Sequence, residues 1–224
     1  MTHNFFRMMN REPIDYSLYL VTDRGLSRGR PTPEIVRAAV RGGVTCVQLR
    51  EKTCSTREFI AEALAVRDFL KWRGVPLIIN DRVDVALAVG ADGVHLGQGD
   101  LPLAEARAIL GESKLIGISA ESLRDAVAAE NAGADYLGVS PIFATPTKTD
   151  TAAPLGLEGL RAIRRQVKLP LVAIGGLNAG NAAAVIGGGA DGVAVVSAIV
   201  AADDPGLAAR ELARRIAQAR RTCA

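Results

Sequence analysis

Short apolar runs alternate with longer amphipathic stretches along most of the chain. The runs are Leu18–Thr22, Thr45–Leu49, Pro76–Ile79, Gly93–Leu96, Leu115–Ile118, Tyr136–Val139, Leu171–Ile174 and Val193–Val196, eight in all. Each has the length of a strand rather than a helix, and the near-continuous apolar content suits a parallel strand buried on both faces. The stretches between them carry helix signals. Ser55 with Glu58 three residues on forms a capping box. Phe59, Ala63, Val66 and Leu70 then recur at helical spacing, and Gly74 closes the helix as a left-handed cap. After the first run, Thr32 and Pro33 read as an N-cap and first-turn proline ahead of Ile35, Val36, Ala39 and Val40.

A small internal repeat reinforces the alternation. Gly90-Ala91-Asp92, Gly133-Ala134-Asp135 and Gly189-Ala190-Asp191 each stand where a helix ends and a strand begins, and Gly43-Val44-Thr45 is a weaker version. Glycine supplies the positive φ that a helix end demands. Repeated strand–helix units imply right-handed crossovers and a parallel sheet. Eight of them favour closure, so the chain is predicted to be an α/β protein of the (β/α)8 TIM-barrel class, with eight parallel strands. Residues 1–224 form one domain on this reading, with 1–13 as an N-terminal extension that can be disordered. The alternative, an open Rossmann sheet, lacks its G-x-G-x-x-G after the first run.

Composition sharpens the picture in three places. A content of 49% hydrophobic but only 4% aromatic residues predicts an aliphatic core. A net charge of +3 with interspersed signs gives no basic stripe, so no nucleic-acid partner is expected, and Arg161, Arg164, Arg165, Arg214, Arg215, Arg220 and Arg221 read as solvated helix faces. Cys46, Cys54 and Cys223 show neither metal nor disulfide spacing. With no signal peptide and no uninterrupted apolar span, the protein is expected in the cytoplasm and away from membranes.

In such a barrel, chemistry collects on the loops after each strand. Gln48, Arg50 and Lys52 share the strand face opposite Leu49, which puts them at the barrel mouth as an anion site, with an ion pair to Asp81 or Asp100 as the alternative. Cys46 shares this parity as a small core residue. Asn80 and Asp81 end the third run and Asp100 follows the fourth, so two carboxylates on neighbouring strands can converge on a magnesium ion. Each also suits a helix N-cap, and the basic residues across the mouth tip the balance toward metal. The long segment from Pro141 to Gly156, with Thr145, Thr147, Thr149 and Lys148, reads as a phosphate-binding lid or a flexible surface loop. Gly175-Gly176 and Val196-Ser197 follow the last two runs, where barrels commonly build a phosphate site. Arg28 and Arg30 read as a solvated loop. His95 lies inside a strand as a satisfied core imidazole, and with His3 the only other histidine no Ser-His-Asp or Cys-His set is expected.

Gln48-Leu49-Arg50-Glu51-Lys52, Ile79-Asn80-Asp81, His95-Leu96-Gly97-Gln98-Gly99-Asp100, Gly117-Ile118-Ser119, Thr145-Pro146-Thr147-Lys148 and Ala173-Ile174-Gly175-Gly176 resemble, in this order, the motifs of the thiamine-phosphate synthase family. The resemblance runs from Tyr19 to Ala198. It implies condensation of hydroxymethylpyrimidine diphosphate with thiazole phosphate or its carboxylate, giving thiamine phosphate and pyrophosphate. It implies Asp81 and Asp100 as Mg²⁺ ligands, and Arg50, Lys148 and Ser119 as catalytic. It implies substrate contacts from the stretch Gln48, Leu49, Arg50, Glu51 and Lys52, from Asn80 and Ser119, and from Thr145, Pro146, Thr147, Lys148, Gly176, Val196 and Ser197. Departure of pyrophosphate needs charge neutralisation and in-line positioning but no general base, which fits the shortage of histidine. One departure is Glu121, where many relatives carry a histidine that the related thiazole tautomerases use for proton transfer. That exchange argues against tautomerase activity, and a non-catalytic paralogue is expected to have lost a metal ligand or the lid lysine.

Overall fold

Both faces of every strand are buried, and the two faces meet different neighbours. In the computed structural model, which describes residues 13–145 and 153–223, the strands are β1 (Leu18–Val21), β2 (Cys46–Leu49), β3 (Leu77–Asn80), β4 (Gly93–Leu96), β5 (Leu115–Ala120), β6 (Tyr136–Val139), β7 (Leu171–Ala173) and β8 (Gly192–Val195). They pair in parallel, in chain order, and close into a barrel through β1 and β8. Around them lie α1 (Thr32–Arg41), α2 (Thr56–Lys71), α3 (Val83–Val89), α4 (Leu103–Leu110), α5 (Leu123–Ala132), α6 (Gly156–Gln166), α7 (Ala182–Gly187), α8 (Ser197–Val200) and α9 (Pro205–Cys223). The extension expected over 1–13 lies outside the described residues except for Pro13.

The alternation along β1 shows how the layers separate. Leu18 and Leu20 face outward into the aliphatic shell under the helices, whereas Tyr19 and Val21 point into the barrel. The expected aliphatic core is therefore correct for the outer shell only. All three tyrosines of the chain, Tyr16, Tyr19 and Tyr136, are packed inside the barrel with Cys46 and Ile78. Tyr136 fits because Gly117 on the next strand offers no side chain; a Cβ there would stand 2.1 Å from the ring.

Local signals mostly hold. The Ser55–Glu58 capping box forms, and Phe59, Ala63, Val66 and Leu70 are the buried face of α2. Gly90 and Gly133 close α3 and α5 in the left-handed conformation, at φ 65° and 91°. Two expectations shift. The cap of α1 is Pro31 and makes no side-chain bond, while Thr32 is buried as the first helical residue. The α2 helix ends at Trp72, two residues before Gly74.

The repeated Gly-Ala-Asp segments share one structural task at the N-terminal rim. Asp92, before β4, donates its N–H to Leu77 O at 2.9 Å and accepts the Leu77 N–H on Oδ2 at 2.8 Å. Asp135, before β6, does the same to Ile116, and Asp191, before β8, to Leu171. Thr45, before β2, repeats the pattern with its hydroxyl: its N–H meets Leu18 O and its Oγ1 accepts from Leu18 N–H at 3.1 Å. Every even strand is thus latched to the odd strand before it.

Candidate active site

The C-terminal ends of the strands surround a cavity of about 730 Å³. Parity and strand length decide what lines it. On β2, Gln48 is buried and faces inward, and Arg50 follows at the rim with the same orientation. Lys52, Asn80, Asp81, Asp100, Ser119, Thr145, Gly176, Val196 and Ser197 complete the set of expected residues that line it. Leu49 does not join them, because its parity turns it into the helix-facing core. The Glu51 side chain is also outside the cavity: Arg24 Nε donates to its Oε2 at 3.0 Å, and Arg24 in turn reaches Glu62. Burial, then Glu62, pushes the Glu51 carboxyl above its ordinary value, with Arg24 opposing them. Neither side chain occupies the substrate-facing position expected for it. Pro146, Thr147, Lys148, Thr149 and Asp150 lie outside the described residues.

The acids and bases of the rim are already in contact. Lys52 Nζ donates to Asp81 Oδ2, which is the ion pair weighed as an alternative for this face. Arg50 Nη1 instead meets Asp23 Oδ2 at 2.9 Å, and its backbone N–H donates to Thr22 Oγ1. Asp23, which also caps the short turn Arg24–Leu26, was not singled out from the sequence. It follows β1 at the rim and was legible by the same loop rule that selected Asp81.

Helix capping does not account for the two central acids. The α3 helix is capped by Arg82 and α4 by Pro102, neither with a side-chain bond, so the N-cap alternative fails for Asp81 and Asp100. Asp81 instead adopts a left-handed backbone, φ 61°, unusual for a residue with a Cβ. Asp100 Oδ2 accepts the Gly97 N–H at 2.7 Å. Burial first, and then hydrogen bonding and charge from Asp81, raise the Asp100 carboxyl above its ordinary value. Two neighbouring carboxylates that repel one another form a donor pair suited to a hard cation, and Mg²⁺ commonly takes one or two protein carboxylates and fills its octahedron with phosphate oxygens and water. Among the described residues no cluster of three or more His, Cys, Asp or Glu side chains is placed to hold a metal, so any ion here would depend on substrate oxygens.

The segment after β6 is better anchored than its composition suggested. Ile142 is fully buried, its N–H donates to Ile174 O, and Leu155 and Gly156 donate back to Pro141 and Ile142. Gly175 and Gly176 have positive φ, and a Cβ at Gly176 would stand 2.7 Å from Ala144 O. The glycines therefore permit the close approach that carries Thr145 to the cavity. Arg28 is exposed, as expected for a solvated loop, and pairs with the exposed Asp203, whereas Arg30 is half-buried and donates to Val200 O at 2.8 Å, tying the first loop to the α8–α9 connection. Cys46 is buried, which pushes its thiol up and leaves it inert. His95 is satisfied as expected, yet it also lines the cavity and contacts Ser119. Glu121 stands at the same mouth.

Known proteins resemble this chain in sequence and in overall structure. The sequence model of the family described as thiamine monophosphate synthase matches residues 18–199. A thiamine-phosphate synthase of Chloroflexus aurantiacus is 62% identical over 199 residues, covering 89% of this chain and 92% of that protein. Another, from Albidiferax ferrireducens, is 59% identical over 199 residues and covers 89% and 91%. Among solved structures, the thiamine phosphate pyrophosphorylase of Pyrococcus furiosus superposes with a TM-score of 0.85 at 42% identity, over 92% of this chain and 98% of that one.

Proposed function

The chain belongs to the thiamine monophosphate synthase family and is a transferase, and from that premise we propose that it joins hydroxymethylpyrimidine diphosphate to thiazole phosphate or its carboxylate, yielding thiamine phosphate and pyrophosphate. The observation that carries this reading is the convergence of Arg50, Lys52, Asp81 and Asp100 with Gln48 and Ser119 on one cavity. Cations beside a carboxylate pair suit a diphosphate leaving group that arrives with a divalent metal.

In the proposed reaction the carbon–oxygen bond of the pyrimidine methylene breaks, and the electron pair leaves with pyrophosphate. The aminopyrimidine ring delocalises the resulting cation until the thiazole nitrogen lone pair forms the new carbon–nitrogen bond. No proton moves. Arg50 and Lys52, with Lys148, neutralise the leaving group. Arg50 is held for this by Asp23, and Lys52 reaches the diphosphate by exchanging its contact with Asp81. Gln48, Asn80 and Ser119 orient the pyrimidine. Thr145, Thr147, Gly176, Val196 and Ser197 hold the thiazole phosphate, so that the nucleophile is tethered in line. Asp81 and Asp100 would hold Mg²⁺, whose contribution when bound is to withdraw charge from the departing oxygens. Among the described residues no helix is long and apolar enough to cross a membrane, and the free, buried Cys46 suits a reducing compartment such as the cytoplasm.

The test is pyrophosphate release from purified protein given both substrates and Mg²⁺, with EDTA as control. Release that needs both substrates and the metal, with thiamine phosphate in equal amount, is the expected result. Tight binding of thiamine phosphate without turnover would instead identify a non-catalytic paralogue.

A further inference from the structure

A hydrogen-bonded chain crosses the barrel along the floor of the cavity and joins two residues of the proposed site. Gln48 Nε2 donates to the Tyr19 hydroxyl at 3.0 Å. The Tyr19 and Tyr136 hydroxyls are 2.8 Å apart, the Tyr136 hydroxyl is 3.0 Å from His95 Nδ1, and His95 Nε2 is 3.0 Å from Ser119 Oγ. Glycine makes the space for both central rings: a Cβ at Gly117 would stand 2.1 Å from the Tyr136 ring, and one at Gly138 2.8 Å from His95.

The chain has a direction. An amide nitrogen only donates, and a hydroxyl has a single proton to pass on. Tyr19 receives from Gln48 and has two acceptors in reach, the Tyr136 hydroxyl and the Cys46 thiol; sulfur is the weaker acceptor, so the Tyr19 proton goes to Tyr136. Tyr136 passes its own to His95 Nδ1. The imidazole proton therefore sits on Nε2 and is donated to Ser119 Oγ, which leaves the serine proton to be donated elsewhere. Because Ser119 lines the cavity, that proton can be donated to an acceptor on a bound substrate.

We infer that this polarised chain makes Ser119 a hydrogen-bond donor to a ring nitrogen of the aminopyrimidine, with His95 in the Nε2–H tautomer and Tyr19, Tyr136 and His95 as positioning residues. The part that concerns the substrate rests on the function proposed above; the tautomer does not. An aminopyrimidine offers an acceptor nitrogen beside an amino donor, so a serine fixed as donor recognises it and opposes a ring that carries N–H at that position.

Nitrogen-15 NMR of protein labelled at histidine tests the direction without substrate. The chain has two histidines, so a His3→Gln variant assigns the His95 signals. The expected spectrum has a bare Nδ1 and a protonated Nε2; a proton on Nδ1 overturns the proposal. Tyr136→Phe keeps the ring and cuts the chain. It is expected to mix the His95 tautomers and to raise KM for the pyrimidine diphosphate about tenfold, the effect of one hydrogen bond to a desolvated acceptor, with KM for thiazole phosphate unchanged. A variant that keeps both the tautomer and the pyrimidine KM also overturns it. The expected tautomer in a protein that fails to release pyrophosphate would retain the chain and discard the function.

Discussion

The two ends of the barrel are built on opposite principles. At the N-terminal rim one device recurs: Thr45, Asp92, Asp135 and Asp191 each bind both backbone groups of the neighbouring strand. At the C-terminal rim no two loops repeat. Asp23 holds Arg50, Asp81 holds Lys52, Asp100 turns back on Gly97, and paired glycines admit the loop after β6. A closing sheet poses the same geometric problem at every strand pair and can answer it with the same residue. A substrate with two different ends poses a different problem to each loop. Repetition in this sequence therefore marks scaffold, and the singular residues mark chemistry.

The sharpest break of that contrast is Arg50→Ala. Arg50 is part-exposed and its partner Asp23 is too, at 26% and 19% of the side chain, so little fold stability is at stake. Loss of one cation from the leaving group is expected to cost about 10²–10³ in kcat/KM, with the melting temperature nearly unchanged. A variant that turns over normally, or one that unfolds, would erase the distinction between the rims.

The reverse pattern is expected of Asp135→Ala. Its carboxylate accepts the Ile116 N–H at 2.7 Å and pairs with Arg107 Nη2 at 2.7 Å, both partners being mostly buried. Removing it strands a backbone donor and a guanidinium together, at a cost of about 3 kcal/mol, while kcat per folded molecule stays constant. The weaker member of the series is Thr45→Val, which deletes a neutral hydroxyl with no ion pair behind it and should cost about 1 kcal/mol. Denaturant midpoints give the ranking. Equal losses at both sites would mean that the latch, not the ion pair to Arg107, carries the effect.

This division also explains which parts were legible in the sequence. The Gly-Ala-Asp repeat marked helix ends through its glycines, but its aspartates passed as ordinary polar residues, because spacing cannot reveal a bond to a strand more than ten residues back. Strand parity was read correctly at Gln48 and Arg50, and the same parity removes Leu49 from the site. Glu51 was expected at the site only through the family resemblance, as part of the Gln48–Lys52 motif. Its true partner, Arg24, comes from another loop and no local pattern links them. Tyr19 and Tyr136 were hidden by composition: scarce aromatics suggested an aliphatic interior, whereas the three tyrosines are gathered inside the barrel, with Gly117 opening space for Tyr136. His95 was read as satisfied, and it is, but satisfaction by Ser119 and Tyr136 makes it part of the cavity wall.

The C-terminal rim also contains residues that serve only the backbone, and they set the finest test. Ser55 caps α2 just beyond the Gln48–Lys52 stretch, accepting the Glu58 N–H while Glu58 accepts the Ser55 N–H at 2.8 Å. It sits on the functional end yet lines no part of the cavity. Ser55→Ala should cost about 1 kcal/mol or less, as exposed caps do, and should leave kcat and both KM values within experimental error. Asp81, also on that end, caps nothing, so Asp81→Asn should change turnover and its magnesium requirement with little change in the denaturant midpoint. If Ser55→Ala slowed turnover, the capping turn would be coupled to the position of Lys52, and the boundary between scaffold and chemistry would have to be drawn inside the loop rather than between the rims.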